Sequence, residues 1–343
     1  MHRTCLIVAA VAAAFAVSGS AQQSAGPYKV LKTAKVGGAG GFDYVNADAD
    51  GRRLYVARSG PMAHIVVYDL DTLAQVGDIP GINAHGAVVS AKTNHGFASS
   101  KPILMFDSKT FATIRTIDVE GAPDGMMYDP FNDRVWVLSH LSPHATVINA
   151  ADGSIAGTFD IGGMPEQAAT DGKGHVYIDV VDKNNIAVVD AKTLTVTAHY
   201  DVSPSGGCAG LSMDAKNEIL FAACRNPQVM VILSAKDGKI ITTLPIGMGS
   251  DGALFNPKTM EAFSSHGDGT LTIIKENSPN SFVVEQNVQT MTTAKTSALD
   301  AKTDHILLIA AEFGPPQAPP TPGGRAGRGA LVPDSFTILV VGK

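Results

Sequence analysis

Tryptophan is nearly missing from this sequence, cysteine is scarce, and neither charge dominates: one Trp, three Cys and a formal net charge of −6 among 343 residues. Each shortage excludes something. With three cysteines there is no Cys-x-x-Cys-His for covalent haem and no fixed-spacing metal motif. A polyanion binder gains affinity by neutralising phosphates along a basic stripe. The only cations standing apart here are Arg325 and Arg328 in a Gly/Pro loop, so nucleic acid is not an expected partner. Long apolar runs are absent beyond residues 5–17, a stretch of about 13 residues where a permanent membrane helix needs roughly 20.

That one run follows Arg3 and precedes the small residues Ser18, Gly19, Ser20 and Ala21, the layout of a secretory signal cleaved near Ala21. Cys5 opens the run rather than following it, so it is not a lipid attachment site. Loss of the leader (1–21) would remove Arg3, taking the charge from −6 to about −7. The expectation is a mature chain, residues 22–343, that folds as one soluble, monomeric domain in the periplasm or outside the cell.

What the sequence does contain is repetition, the first thing to seek because it fixes architecture. FDYVNADADGRRLYVARSG from Phe42, HGAVVSAKTNHGFASSK from His85, DGMMYDPFNDRVWVLSH from Asp124, EQAATDGKGHVYIDVV from Glu166, AGLSMDAKNEILFAACR from Ala209, DGALFNPKTMEAFSSHG from Asp251 and KTSALDAKTDHILLIAAE from Lys295 align almost without gaps. Each is an apolar run, a polar turn and a second apolar run, the pattern of an antiparallel hairpin. Six of the units are followed by a second hairpin such as ILMFDSKTFATIRTIDV, giving four strands in about 42 residues, the size of a propeller blade. The class is all-β: a seven-bladed β-propeller with four antiparallel strands per blade. The seventh unit is one strand short, while the spare strand YKVLKTAKV stands at residues 28–36, so the N-terminal strand is expected to complete blade seven and remove its open edges.

DADGRRLYVAR resembles the strand pair, and VVDAKTLTV the hairpin, of the bacterial YVTN or YncE-like propellers. GFDY, PEQAATDGKGHVYIDVVDKN, CRN, GDGTLTI and AEFGP are similar to segments of exported members of that group. The resemblance spans nearly all of the mature chain and implies a fold rather than a role, because propellers host many activities. Departures matter too. Trp-Asp pairs of WD repeats and the repeating tryptophans of quinone-dependent dehydrogenases are missing, and the lone Trp136 reads as core. His140 and His144 do not match the His and His/Glu pattern of streptogramin-lyase propellers.

In a propeller the innermost strand of each blade starts at one mouth of the axial channel. Alignment puts Asp43, His85, Asp124, Glu166, Ala209, Asp251 and Lys295 at that position. Four carboxylic acids converging on a channel repel one another unless a cation, water or hydrogen bonds offset the charge. Asp43, Asp124, Glu166 and Asp251 would suit Ca²⁺ or another hard divalent ion, with Lys295 beside an anionic or hydroxylated ligand. Side by side with this stands a structural reading, in which such acids accept hydrogen bonds from loop N–H groups and face a water-filled channel. A one-residue slip would turn every one of them away. At the adjoining ends of the second strands stand Arg58, Lys101, His140, Arg225, His266 and Glu312, of which Arg225 and His266 flank ring positions across a hairpin; exposed loop-end charge explains each of them individually.

Cys208 and Cys224 lie either side of a turn near Lys216 and should face each other across two strands, so an exported chain is expected to join them as a disulfide. A thiolate metal site with His266 and a catalytic thiol are the alternatives. The Pro/Gly-rich segment 314–334 interrupts blade seven on the ring's face, as a cover for the channel or as a free insertion. Two functions follow. The first is a binding or scaffold module holding a small polar ligand, an ion or a protein loop at the ring. The alternative is a metal-dependent hydrolase or lyase of lactone- or sugar-like substrates, with His85 or Glu166 as base.

Overall fold

The computed structural model describes residues 26–60, 62–315 and 329–343; the leader and most of the 314–334 segment lie outside them. Among the described residues, 28 strands form seven four-stranded antiparallel sheets arranged as a ring. In blade one the strands run Gly41–Asp48, Arg53–Ser59, His64–Asp69 and Gln75–Pro80, from the axis outward, and blades two to six repeat that order. None of the described residues forms a helix long and apolar enough to cross a membrane.

The turns explain why so divergent a set of repeats folds alike. Between the first two strands of six blades one residue takes a left-handed backbone: Arg52, Asn94, Asp133, Glu218, Met260 and Asp304, all with φ between 54° and 61°, while in blade four Gly174 stands in at 124°. In the next hairpins Asp69, Asp107 and Asp190 each accept backbone N–H groups two and three residues on, closing Asx turns that fix the register. The alternating apolar residues then pack between neighbouring sheets, giving a ring of clusters and not one central core. Trp136 is fully buried in one of them, edge-on to Phe159.

Blade seven closes as its strand count requires. Lys29–Lys35 pairs antiparallel with Thr337–Gly342, from Lys29 opposite Gly342 to Lys35 opposite Thr337, and becomes the outermost strand of that sheet. Both chain ends are then tied to blade six. The Tyr28 N–H donates to Gln286 Oε1 at 2.9 Å, Gln286 Nε2 donates back to the Tyr28 carbonyl at 2.8 Å, and the Tyr28 hydroxyl donates to the buried Glu261. Lys343 reaches the same carboxylate at 2.8 Å. The two described flanks of the Pro/Gly segment also meet, with Phe313 bridged to Leu331.

Candidate functional site

A feature with no counterpart in the repeat pattern aims the ring. In five blades the innermost strand carries a bulge: the pairing shifts by one residue between Phe42 and Val45, Pro123 and Met126, Pro165 and Ala168, Cys208 and Gly210, and Ser250 and Ala253. Each interval contains the ring residue of that blade. A bulge re-aims the side chain it carries and bends the strand. His85 and Lys295 precede the regular part of their strands, which start at Ala87 and Ser297. The same device settles the cysteines. Beyond the bulge at Ala209 the register is one residue out, and the extra residue brings Cys208 opposite Cys224, where the two form a disulfide.

Asp43, His85, Asp124, Glu166, Asp251 and Lys295 all line one cavity of about 380 Å³ at the channel mouth, together with Tyr44, His140 and Arg225. Ala209 does not reach it; in blade five the Arg225 guanidinium, from the adjacent strand, enters instead. A second cavity of about 310 Å³ shares Tyr44, Glu166 and Asp251 and extends to Gln167. Gln167 Oε1 accepts the N–H groups of Leu211 and Ala253 at 2.9 and 3.0 Å, tying blade four to blades five and six.

The mouth divides into two halves. On one side Asp251 is gripped by both Arg225 and Lys295, and Arg225 Nε also donates to the Ser250 carbonyl at 2.8 Å. On the other side stand three carboxylates and two imidazoles. His85 Nδ1 lies 2.8 Å from Asp43 Oδ2 and 3.0 Å from Asp124 Oδ1; His140 Nε2 lies 3.3 Å from Asp124 Oδ2 and 3.9 Å from Glu166 Oε1. The Tyr44 hydroxyl faces Glu166 Oε2 at 3.2 Å and Asp124 Oδ2 at 3.4 Å.

The protonation behaviour follows from this crowding. Burial raises the Asp124 carboxyl above the usual range, His85 and His140 pulling it partly back. Burial also raises Glu166, and the charges of Asp124 and Asp251 push it the same way. The Tyr44 phenol is driven well up by burial and the surrounding carboxylates, so it stays a hydrogen-bond donor. The hydrogen bond to Asp43 raises the His85 imidazole.

The four carboxylates do not gather into an all-oxygen cage of the kind that suits Ca²⁺. Asp251 is occupied by two cations and Asp43 by His85. Two mixed groups form instead, Asp43 with His85 and Asp124, and Asp124 with His140 and Glu166, the donor atoms within each lying within 4.8 Å of one another.

Of the second-strand residues, only His140 and Arg225 line the mouth. His266 is fully buried behind Asp251, its Nδ1 bonded to Thr270 and its Nε2 to Ser264 at 3.0 Å, and burial lowers its pKa to about 4. Arg58 is buried on the face of Phe336, donating to the Gly37 and Ala39 carbonyls. Lys101 caps the Gly121 carbonyl, and the Glu312 backbone N–H bonds to Ser335. Tyr44 was not visible as a site residue from its type, but its neighbours carry a trace of it. The aligned positions in blades two and three are Gly86 and Gly125, and a Cβ on Gly86 would stand 3.0 Å from that of Tyr44.

No family model matches this chain, and no curated protein matches it in sequence. Among solved structures it is similar to a chain of the mitotic checkpoint complex, with a TM-score of 0.71 and 12% identity over 90% of this chain and 95% of that one. It is similar too to the RRP9 WD40 repeats, with a TM-score of 0.72 and 11% identity over 92% and 97%. At such identity the likeness establishes the fold, a seven-bladed propeller, and nothing of the site.

Proposed function

We propose that this chain is a rigid binding module whose seat is the channel mouth, taking a small polar ligand or an ion there. The observation that carries this reading is the convergence of titratable side chains from all seven blades on one cavity, with only one half of them neutralised by permanent cations. A closed ring suits such a seat, since side chains held by neighbouring sheets lose little freedom when a ligand arrives. Its repeat wording, similar to that of YVTN or YncE-like propellers, and its apolar leader support placing it among exported proteins of that kind. That a similar wheel belongs to a mitotic checkpoint complex supports a scaffold role beside this one.

The test is a thermal-shift panel of small carboxylates, polyols and sugars, run in EDTA, on the wild type and on Arg225→Gln and Lys295→Gln. At least one class should raise Tm and lose its effect in those variants. Shifts that persist undiminished in both, or a panel with no shift, count against the seat. The second reading, a metal-dependent hydrolase or lyase of lactone- or sugar-like substrates, draws on the His85–Asp43 contact of 2.8 Å, an imidazole held by a carboxylate as a general base requires. Lactone turnover by the wild type that survives Asp124→Ala and Glu166→Ala would contradict it.

A further inference from the structure

We propose that the unpaired half of the mouth is a site for one divalent transition-metal ion of the zinc class, held by His140 Nε2, Asp124 Oδ2 and Glu166 Oε1, with a fourth position open to the channel. This deepens the reading of the mouth as a ligand seat and rests on it.

Three observations select these atoms from the cluster. The first is spacing. A tetrahedral ion with bonds of about 2.0–2.1 Å sets its donors about 3.3 Å apart. His140 Nε2 stands 3.3 Å from Asp124 Oδ2 and 3.9 Å from Glu166 Oε1. The His85 contacts, at 2.8 and 3.0 Å, are hydrogen-bond lengths instead.

The second is what the other oxygens do. Asp124 Oδ1 shares the His85 Nδ1 with Asp43, at 3.0 and 2.8 Å, and the Tyr44 hydroxyl stands 3.2 Å from Glu166 Oε2 and 3.4 Å from Asp124 Oδ2. Each carboxylate thus turns one oxygen to His85 or Tyr44 and the other toward His140, with Tyr44 also beside Asp124 Oδ2, an outer shell of the kind that orients metal ligands. The third is an unmet demand. His140 Nε2 is shielded from solvent yet makes no hydrogen bond of good geometry, even with Asp124 at 3.3 Å. The permanent cations that line the same cavity, Arg225 and Lys295, are both committed to Asp251. Deeper still lies the fully buried Asp179, neither of whose oxygens has a partner.

A nitrogen with two carboxylate oxygens suits a borderline ion better than Ca²⁺ or Mg²⁺, which favour six or more oxygens. Three protein ligands and an open position facing a cavity are the pattern of a site that exchanges water for an external ligand. An anionic group bound there would have Arg225 and Lys295 across the mouth.

The experiment is calorimetric titration of untagged, EDTA-treated full-length protein with zinc chloride, and with cobalt chloride while following the visible absorption of tetrahedral cobalt. Calcium chloride is the comparison. We expect one equivalent of zinc, tetrahedral cobalt absorption, and calcium at least a hundredfold weaker. His140→Gln should weaken zinc at least a hundredfold and His85→Ala, which removes only an outer-shell brace, about 10–100-fold. His144→Gln, which removes an unconnected pair with Asp160, should change nothing. Absence of saturable zinc binding, equal affinity in His140→Gln, or calcium binding as tight as zinc would overturn the site. His140→Gln changes a side chain about one-third exposed, so the variant should fold and decides the matter. A failed metal titration beside a successful organic panel in EDTA removes this inference and leaves the seat; failure of both removes the seat as well.

Discussion

The two halves of the channel mouth are built from the same repeat position and end in opposite electrostatic states. On the Asp251 side one carboxylate meets two permanent cations. On the Asp124 side three carboxylates meet two imidazoles and a phenol, none of them a permanent cation. The contrast continues one layer down. Behind the paired half lies His266, fully buried with both ring nitrogens bonded; in blade four, next to the unpaired half, lies Asp179, fully buried with neither oxygen bonded. One half is internally complete, so its cost is met within the fold. The other carries buried negative charge that only an arriving cation or captured protons can offset.

The largest effect should come from making the paired half resemble the other. Arg225→Met with Lys295→Met strips Asp251 of both cations while its side chain remains mostly buried, which should cost about 3 kcal/mol at neutral pH in urea unfolding. A loss under about 1 kcal/mol would mean that solvent already screens the pair and the halves differ less than their geometry suggests.

Next is acid sensitivity behind the paired half. The unfolded chain protonates His266 at its ordinary 6.5, whereas the folded protein resists until about 4. Stability is therefore full above pH 6.5 and is lost as pH falls toward 4, by about 3 kcal/mol in all. His266→Gln should remove that slope, although its own stability will be lower at pH 7; an unchanged slope would place the acid sensitivity elsewhere.

Smaller, and opposite in sense, is Asp179→Asn. Burial raises this carboxyl well above 3.8, so the folded protein holds a proton that the unfolded chain releases, and the group lowers stability as pH rises from 3.8. The variant should gain about 1–2 kcal/mol at pH 7 and nothing below pH 3.8. A loss at pH 7 would reveal a cation partner for Asp179 and weaken the contrast. Tyr28→Phe, far from the mouth, sets the scale of an ordinary buried hydrogen bond, about 1 kcal/mol.

The fold was legible because a hairpin announces itself twice, in apolar alternation and in turn residues. Asn94, Asp133 and Asp304 stand where a left-handed turn is needed, and YKVLKTAKV had no partner other than the last strand. The ring residues were legible as an alignment column, and Cys208 with Cys224 as a pair. The bulges were not, because an extra residue in one strand leaves no mark on polarity; yet they decide that Asp43, Asp124, Glu166 and Asp251 reach the mouth. Nor could the column show that Arg225 would replace Ala209 and neutralise Asp251, or that His266 would turn into the sheet. Those outcomes depend on which neighbour lies within reach across blades, a distance of 26 residues for Arg225 and Asp251. Tyr44 hid for a related reason: its role rests on the space left by Gly86 and Gly125, in other repeats.

The central claim, that the unpaired half seats a cation, is tested most directly by anomalous diffraction at the zinc edge from crystals of the protein soaked in zinc at stoichiometric concentration. The account predicts one dominant peak about 2 Å from His140 Nε2 and from a carboxylate oxygen of both Asp124 and Glu166. An empty mouth, or a dominant peak at any other histidine, would contradict it.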